Sequence, residues 1–306
     1  MDSVLFCRKT LQLASMAALI ATSLVTSMAD AETVEKRLAA DPRGEVEIGN
    51  VAGTVHVTGW DRAEVEVKAD LGRGAERLEF DRDGDRIRIK VVLPNRGSSG
   101  GSDLTVRVPH DSRVNINTVS ADQSVEGVRG ALRLQSVSGR IDSQSSGEQE
   151  VKTVSGEVEV KGGSDQRSGA TRTRVTTVSG DARLAGIAGE IDANSVSGNI
   201  VATLTALTRA RLKTTNGDLA IEAAFERDAV VEAETINGDV TLKIRDPLSA
   251  EFDIETFNGD IESCFGQKPR RTHEHGPGTE LRFKQGDGNA RVRIKTLNGD
   301  VEVCNK

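Results

Sequence analysis

Tyrosine is absent from these 306 residues, tryptophan occurs once and phenylalanine seven times. Aromatic rings supply much of the bulk of an ordinary core. The interior expected here is therefore narrow and filled by Val, Ile, Leu and Ala. The same shortage weighs against a sugar-processing cleft, which usually wants aromatic platforms. Also missing are a His-Glu-x-x-His zinc motif, a nucleophile elbow and a phosphate-binding loop. No apolar 3.6-residue period is present, so helices are not expected. A dominant basic charge is lacking too. Lys and Arg number 40 against 47 Asp and Glu, with the signs interspersed and a net charge of −7, which argues against nucleic acid or an anionic membrane as partner.

What is present is a repeat. The segment Glu234-Thr235-Ile236-Asn237-Gly238-Asp239-Val240 recurs with glycines at Gly139, Gly156, Gly180, Gly198, Gly217, Gly238, Gly259 and Gly299, and a degenerate copy has Ala121 in the glycine's place. From position 121 the steps are 18, 17, 24, 18, 19, 21, 21 and 40 residues. A period near twenty marks a repeat protein. Each unit holds two short alternating segments around a turn, such as Val230–Ile236 and Val240–Ile244, and alternation of that kind reads as strand. The fold class expected is all-β, a single-domain β-solenoid with about 20 residues per coil and an irregular strand-rich N-terminal end.

Each column of the repeat carries an expectation. Two positions before the glycine stand Val119, Val137, Val154, Val178, Val196, Ile236, Phe257 and Leu297, with Thr215 the exception. Two positions after it stand Ile141, Val158, Ala182, Ile200, Leu219, Val240, Ile261 and Val301. Both sets are expected to point inward and stack into aliphatic columns. The glycines are expected at positive φ. Asn216, Asn237, Asn258 and Asn298 precede four of them, and Asn-Gly is a turn signal. Stacked asparagines could hydrogen-bond from coil to coil. These residues are read as structural turn residues first, with a ligand or Ca²⁺ on the acidic column Asp218, Asp239, Asp260 and Asp300 as the sharper alternative. The Ser/Thr column from Thr118 to Thr296 allows another, a water-ordering ladder of the ice-binding kind. The two-column Thr-x-Thr array that such a face needs is missing, and threonine also simply favours strands.

Residues 1–31 read as a signal peptide: Arg8 and Lys9, an apolar run from Leu11 to about Val25, then Ala29-Asp30-Ala31. The run is short, so no stable membrane span is expected after cleavage. Cys7 precedes it and is not placed for lipid attachment. The removed segment carries two basic and two acidic residues, so the mature charge stays at −7. Residues 32–114 are read as the strand-rich N-terminal part and cap of the solenoid. Within them Asn50-Val51-Ala52-Gly53-Thr54-Val55 resembles a first, imperfect coil, and Asp81–Asp85 is a hairpin turn rather than an EF-hand, since its glycine falls at the fourth position. Residues 115–306 are read as the regular repeats, with a loop at 266–278 carrying His273 and His275.

Two cysteines remain in the mature chain, Cys264 and Cys304, each five residues after a repeat glycine. In adjacent coils equivalent positions lie about 4.8 Å apart, within disulfide reach, and export favours the bond. Residues 260–299 are accordingly expected to form one coil with a long excursion, its disulfide stapling the terminal coil. An open coil after Val303 leaves self-association possible.

The run Gly53-x-Val55-x-Val57-x-Gly59-Trp60-Asp61, with the stacked Ser-Gly-Asp and Asn-Gly-Asp turns, is similar to the "putative adhesin" β-strand-repeat family of exported bacterial proteins, a domain of unknown function, over about residues 44–304. The resemblance implies a β-helix-like fold and an envelope or extracellular setting, with no family catalytic residues to transfer. The function expected is an exported, non-catalytic scaffold binding an envelope or extracellular glycan or a protein partner. No enzyme activity, cofactor or metal is expected. The alternatives are a carbohydrate-active β-helix enzyme, whose paired carboxylates the Asp columns would supply, and an envelope-stress signalling component.

Overall fold

In the computed structural model, residues 32–94, 100–163, 171–245, 248–272 and 276–305 are described. The signal-peptide reading, Cys7, and His273 and His275 lie outside them. The described residues are all-β, without helix, and their strands form one continuous hydrogen-bonded sheet.

The repeat determines the pairing. Glu45–Trp60 lies parallel to Arg113–Val128, with Asn50 opposite Thr118 and Gly53 opposite Ala121. From there each rung pairs in parallel with the next and keeps register on both sides of the turn, with register shifts farther from it, so Thr153 stands between Ser136 and Thr177, and Val158 between Ile141 and Ala182. Equivalent side chains therefore stack along columns about 4.8 Å apart. Two of the columns that fill the interior flank the turn. One lies five positions before the glycine (Leu134, Val151, Val175, Ala193, Leu212) and one two positions after it (Ile141, Val158, Ala182, Ile200, Leu219), all essentially buried.

Two column assignments made from sequence are corrected, and so is the order of the rungs. The residues two before the glycine face outward: Val119, Val137, Val154, Val178, Val196, Ile236, Phe257 and Leu297 are each 45–50% exposed. The Ser/Thr column beside them is the inward one; Thr177 is 2% exposed and Thr256 3%. The cause is the turn. Alternation holds along each strand, but the glycine between them sits at φ from +131° to +154° and resets the phase, so counting by twos through it lands on the wrong face. A buried Ser/Thr column also removes any water-ordering role for that ladder.

The third correction concerns the order of rungs. Ala290–Asn298 pairs in parallel with Leu219–Asn237 on one side and with Ala250–Asn258 on the other. Val301–Asn305 likewise lies between Val240–Ile244 and Ile261–Ser263. The last repeat in sequence is thus inserted between the two that precede it, and the spatial order is Gly217, Gly238, Gly299, Gly259. Val303 is buried between neighbours rather than at an open end. Charge favours this order. Six and four positions before the glycine, the Gly238 rung carries Glu232 and Glu234, the Gly259 rung Asp253 and Glu255, and the Gly299 rung Arg293 and Lys295. Chain order would stack acid on acid. Insertion alternates the signs.

Antiparallel strands cover both ends of the stack. At the N-terminal end Glu64–Leu71 pairs antiparallel with Glu32–Ala39 and with Ser102–Pro109, and Arg77–Asp83 forms a hairpin with Arg86–Val92. At the other end Thr279–Gln285 pairs antiparallel with Ala250–Asn258. There Phe252 stacks on Phe283 with centroids 4.4 Å apart, and Phe265 packs beside both. Three of the chain's few rings thus close one end of the aliphatic interior.

Candidate binding surface

The turn column is assembled from backbone and short side chains. At Gly238, φ is +151° and an added Cβ would run into the Gly217 carbonyl oxygen, so only glycine fits between rungs there. The Gly238 amide donates to the Asn298 carbonyl at 3.0 Å. Inside the turn, threonine hydroxyls donate to the glycine carbonyl of the adjoining rung: Thr235 to Gly217 at 3.2 Å, Thr296 to Gly238 at 3.2 Å and Thr256 to Gly299 at 2.9 Å. In the middle rungs the hydroxyls of Thr153, Thr177 and Ser195 are buried with no such partner.

Outside the turn run two amide and carboxylate ladders. Asn237 Nδ2 donates to Asn216 Oδ1, Asn298 to Asn237 and Asn258 to Asn298, each at 2.8 Å. The Asp239 amide donates to Asp218 Oδ1 at 2.9 Å, Asp300 to Asp239 and Asp260 to Asp300 at 2.8 Å. Backbone N–H groups thus engage the carboxylates of Asp218, Asp239 and Asp300, which gives the acidic column a role in joining rungs. Among the described residues no three His, Cys, Asp or Glu side chains gather at metal-binding range.

On the outward face before the turn, two columns carry most of the charge. Six positions before the glycine, in spatial order, stand Glu47, Asn115, Arg133, Glu150, Arg174, Asp192, Arg211, Glu232, Arg293 and Asp253. From Arg133 onward the sign alternates at every rung. Arg133 meets Glu150 at 2.9 Å, Arg174 meets Asp192 at 3.3 Å and Arg211 meets Glu232 at 2.9 Å. The adjacent column adds Lys213–Glu234 at 2.6 Å and Lys295–Glu255 at 2.7 Å. The hydrogen bond from Lys152 holds the Glu150 carboxyl below its ordinary value, and those from Lys295 and then Arg282 do the same for Glu255. Asp142 goes the other way. Burial raises it, and the neighbouring Glu159 adds to the rise.

Next to these charged columns lies the outward aliphatic column. Nine of its ten positions, from Val51 to Phe257, are Val, Ile, Leu or Phe. Sequence reasoning put these residues in the core. The signal that places them correctly is local: Ile236 follows Glu232 and Glu234 at intervals of two, so it shares their solvent face.

The grooves are shallow. One of about 540 Å³ is lined by Thr58, Asp61, His110, Glu126, Arg129 and Gln144. His110 Nδ1 lies 2.5 Å from the Gly127 carbonyl and Nε2 3.5 Å from the exposed Asp61. Trp60 donates from Nε1 to the Glu64 carbonyl at 2.8 Å, and the guanidinium groups of Arg62 and Arg107 lie 5.0 and 5.8 Å from its ring. Cys264 and Cys304 are joined, with Cα atoms 4.9 Å apart. The bond links the Gly259 rung to the inserted Gly299 rung, the outermost and penultimate rungs in space.

The sequence profile of the Toastrack DUF4097 family matches residues 45–304. No curated protein matches the chain. Among solved structures, a "putative adhesin" from Bacteroides fragilis aligns over 89% of this chain and 97% of its own, at 11% identity and a TM-score of 0.41. One so described from Parabacteroides merdae covers 89% and 96%, at 12% identity and 0.32. A "putative lipid binding protein" from Parabacteroides distasonis covers 90% and 96%, at 11% identity and 0.33. At these scores the likenesses carry no argument about function.

Proposed function

The chain belongs to the Toastrack DUF4097 family, and on that premise we propose that it is a non-catalytic β-solenoid scaffold, exported from the cytoplasm, that binds an extended envelope or extracellular polymer. The observation that carries this reading is the charged outer face. Equivalent Arg, Lys, Asp and Glu side chains recur there at every rung, about 4.8 Å apart, over most of the stack. A repeating array of hydrogen-bonding groups suits a repeating ligand, because each rung adds a similar contact and weak contacts sum along the length. The Cys264–Cys304 bond supports an oxidising compartment. The non-catalytic reading is supported by the acidic turn column, several of whose carboxylates are engaged by backbone amides of the next rung.

The test is a panel of envelope glycans, peptidoglycan fragments and extracellular polysaccharides, scored for retention and for chain cleavage by the purified protein. Retention without cleavage, reduced by charge reversal at Arg174 and Arg211, is the expected result. Cleavage refutes the scaffold reading, and an absence of retention across the panel refutes the polymer and points to a protein partner.

A further inference from the structure

We propose that the outward aliphatic column is a self-association surface, on which a second copy of this chain packs column against column. The inference is independent of polymer binding, which was assigned to the charged columns beside it.

Composition of the outer face comes first. Four positions before the glycine, on the same face, the ten rungs carry Gly49, polar residues and charged residues, with no aliphatic side chain among them. Two positions before it, nine of ten are apolar and 39–50% exposed. Strand propensity acts on both columns alike and cannot separate them. Threonine at position 215 shows that the turn accepts a polar β-branched residue in this column, so the backbone does not require the valines.

Area comes second. Half-exposed Val, Ile, Leu and Phe at nine positions leave on the order of 600 Å² of contiguous apolar surface, the upper end for a monomer. Two such columns in contact bury about 1,200 Å², which reaches the range of specific interfaces.

Spacing selects the occupant. The column presents one apolar group about every 4.8 Å along a line of roughly 43 Å. A helix offers a repeat of about 5.4 Å and drifts a full rung out of step over this length. A single extended strand offers same-face side chains about every 6.7 Å. A second stack of rungs matches the spacing by construction, and such a two-fold contact is self-complementary.

The experiment is sedimentation equilibrium on the purified protein, beside two variants altered mid-column. One carries Val154→Thr, Val178→Thr and Val196→Thr, conservative outward changes of a kind already present at position 215. The other carries lysine at the same three sites. Circular dichroism confirms that each is folded. The expected result is a wild-type dimer, a dissociation constant raised about a hundredfold or more by the threonine set, and no dimer with the lysine set. A wild type that stays monomeric at about 100 μM, which corresponds to barely 5–6 kcal/mol of association, overturns the proposal. So does a dimer that both folded variants retain unchanged. Neither outcome bears on glycan retention, so failure here and failure of the polymer reading are read separately.

Discussion

Reversing charge in the inserted rung tests the order of the stack energetically. Arg293 stands opposite Glu232 on one side and Asp253 on the other, and Lys295 stands opposite Glu234 and Glu255. Replacing both with glutamate turns four opposite-sign neighbours into like-sign ones. Each exposed cross-strand pair contributes about 0.2–1 kcal/mol, and a like-charge pair costs a similar amount. The double reversal should therefore destabilise by about 2–4 kcal/mol at low ionic strength, lowering the melting temperature by roughly 5–10 °C for a domain of this size. Much of the loss should vanish above about 0.5 M salt, where screening acts within a few ångströms. The assay is thermal unfolding by circular dichroism in low and high salt, extended to a double-mutant cycle between Glu234 and Lys295. Adjacent rungs give a coupling of about 0.3–1 kcal/mol. If the repeats stacked in chain order, these residues would lie two rungs apart, about 9.6 Å. A coupling indistinguishable from zero, with a full coupling for Glu255 and Lys295, would refute the inserted order.

Further outcomes follow from single contacts. Thr256→Val removes the donor to the Gly299 carbonyl and should cost about 1 kcal/mol, whereas Thr177→Val replaces a buried hydroxyl without a partner and should be neutral or stabilising; equal effects in urea unfolding would contradict the assignment. Gly238→Ala should destabilise by at least about 2 kcal/mol, since it combines positive φ with a clash against Gly217. Reducing the Cys264–Cys304 bond opens a loop of 40 residues and should lower stability by about 2–4 kcal/mol, measured as a shift in denaturant midpoint with and without reductant. Acid should weaken the end of the stack. The Glu255 carboxyl is held below its ordinary 4.5 by Lys295 and Arg282, so its contribution is present above about pH 4.5 and is lost as pH falls through the lower folded value. Glu255→Gln should flatten that part of the pH–stability profile.

The repeat was legible because its glycines recur once per rung, and only glycine tolerates a position that combines positive φ with close backbone contact from the next rung. The strand segments, the hairpin at Asp81–Asp85 and the proximity of Cys264 and Cys304 follow from local patterns. What could not be read by extending the pattern was anything that crosses the turn. Ile236 and Val240 are both aliphatic and four residues apart, yet they face opposite ways because Gly238 resets the alternation. The order of the last rungs is non-local. The long segment between Gly259 and Gly299 permits either order, and only the signs of Glu232, Arg293 and Asp253, compared across sequence distances of 61 and 40 residues, favour insertion. The outer face depends on the same comparison. A valine assigned to the core says nothing about partners, whereas nine apolar side chains aligned on the surface mark the candidate contact proposed above.

The most direct test of the inserted, in-register stack is a pair of engineered cross-links. Thr241 stands opposite Glu302, and Glu302 stands opposite Glu262 on its other side. Equivalent positions on adjacent rungs are within disulfide reach and those two rungs apart are not. Peptide mapping of the non-reduced protein should find a new bond in the variant carrying Thr241→Cys and Glu302→Cys, and none in the variant carrying Thr241→Cys and Glu262→Cys. The opposite pattern would show that the repeats stack in chain order.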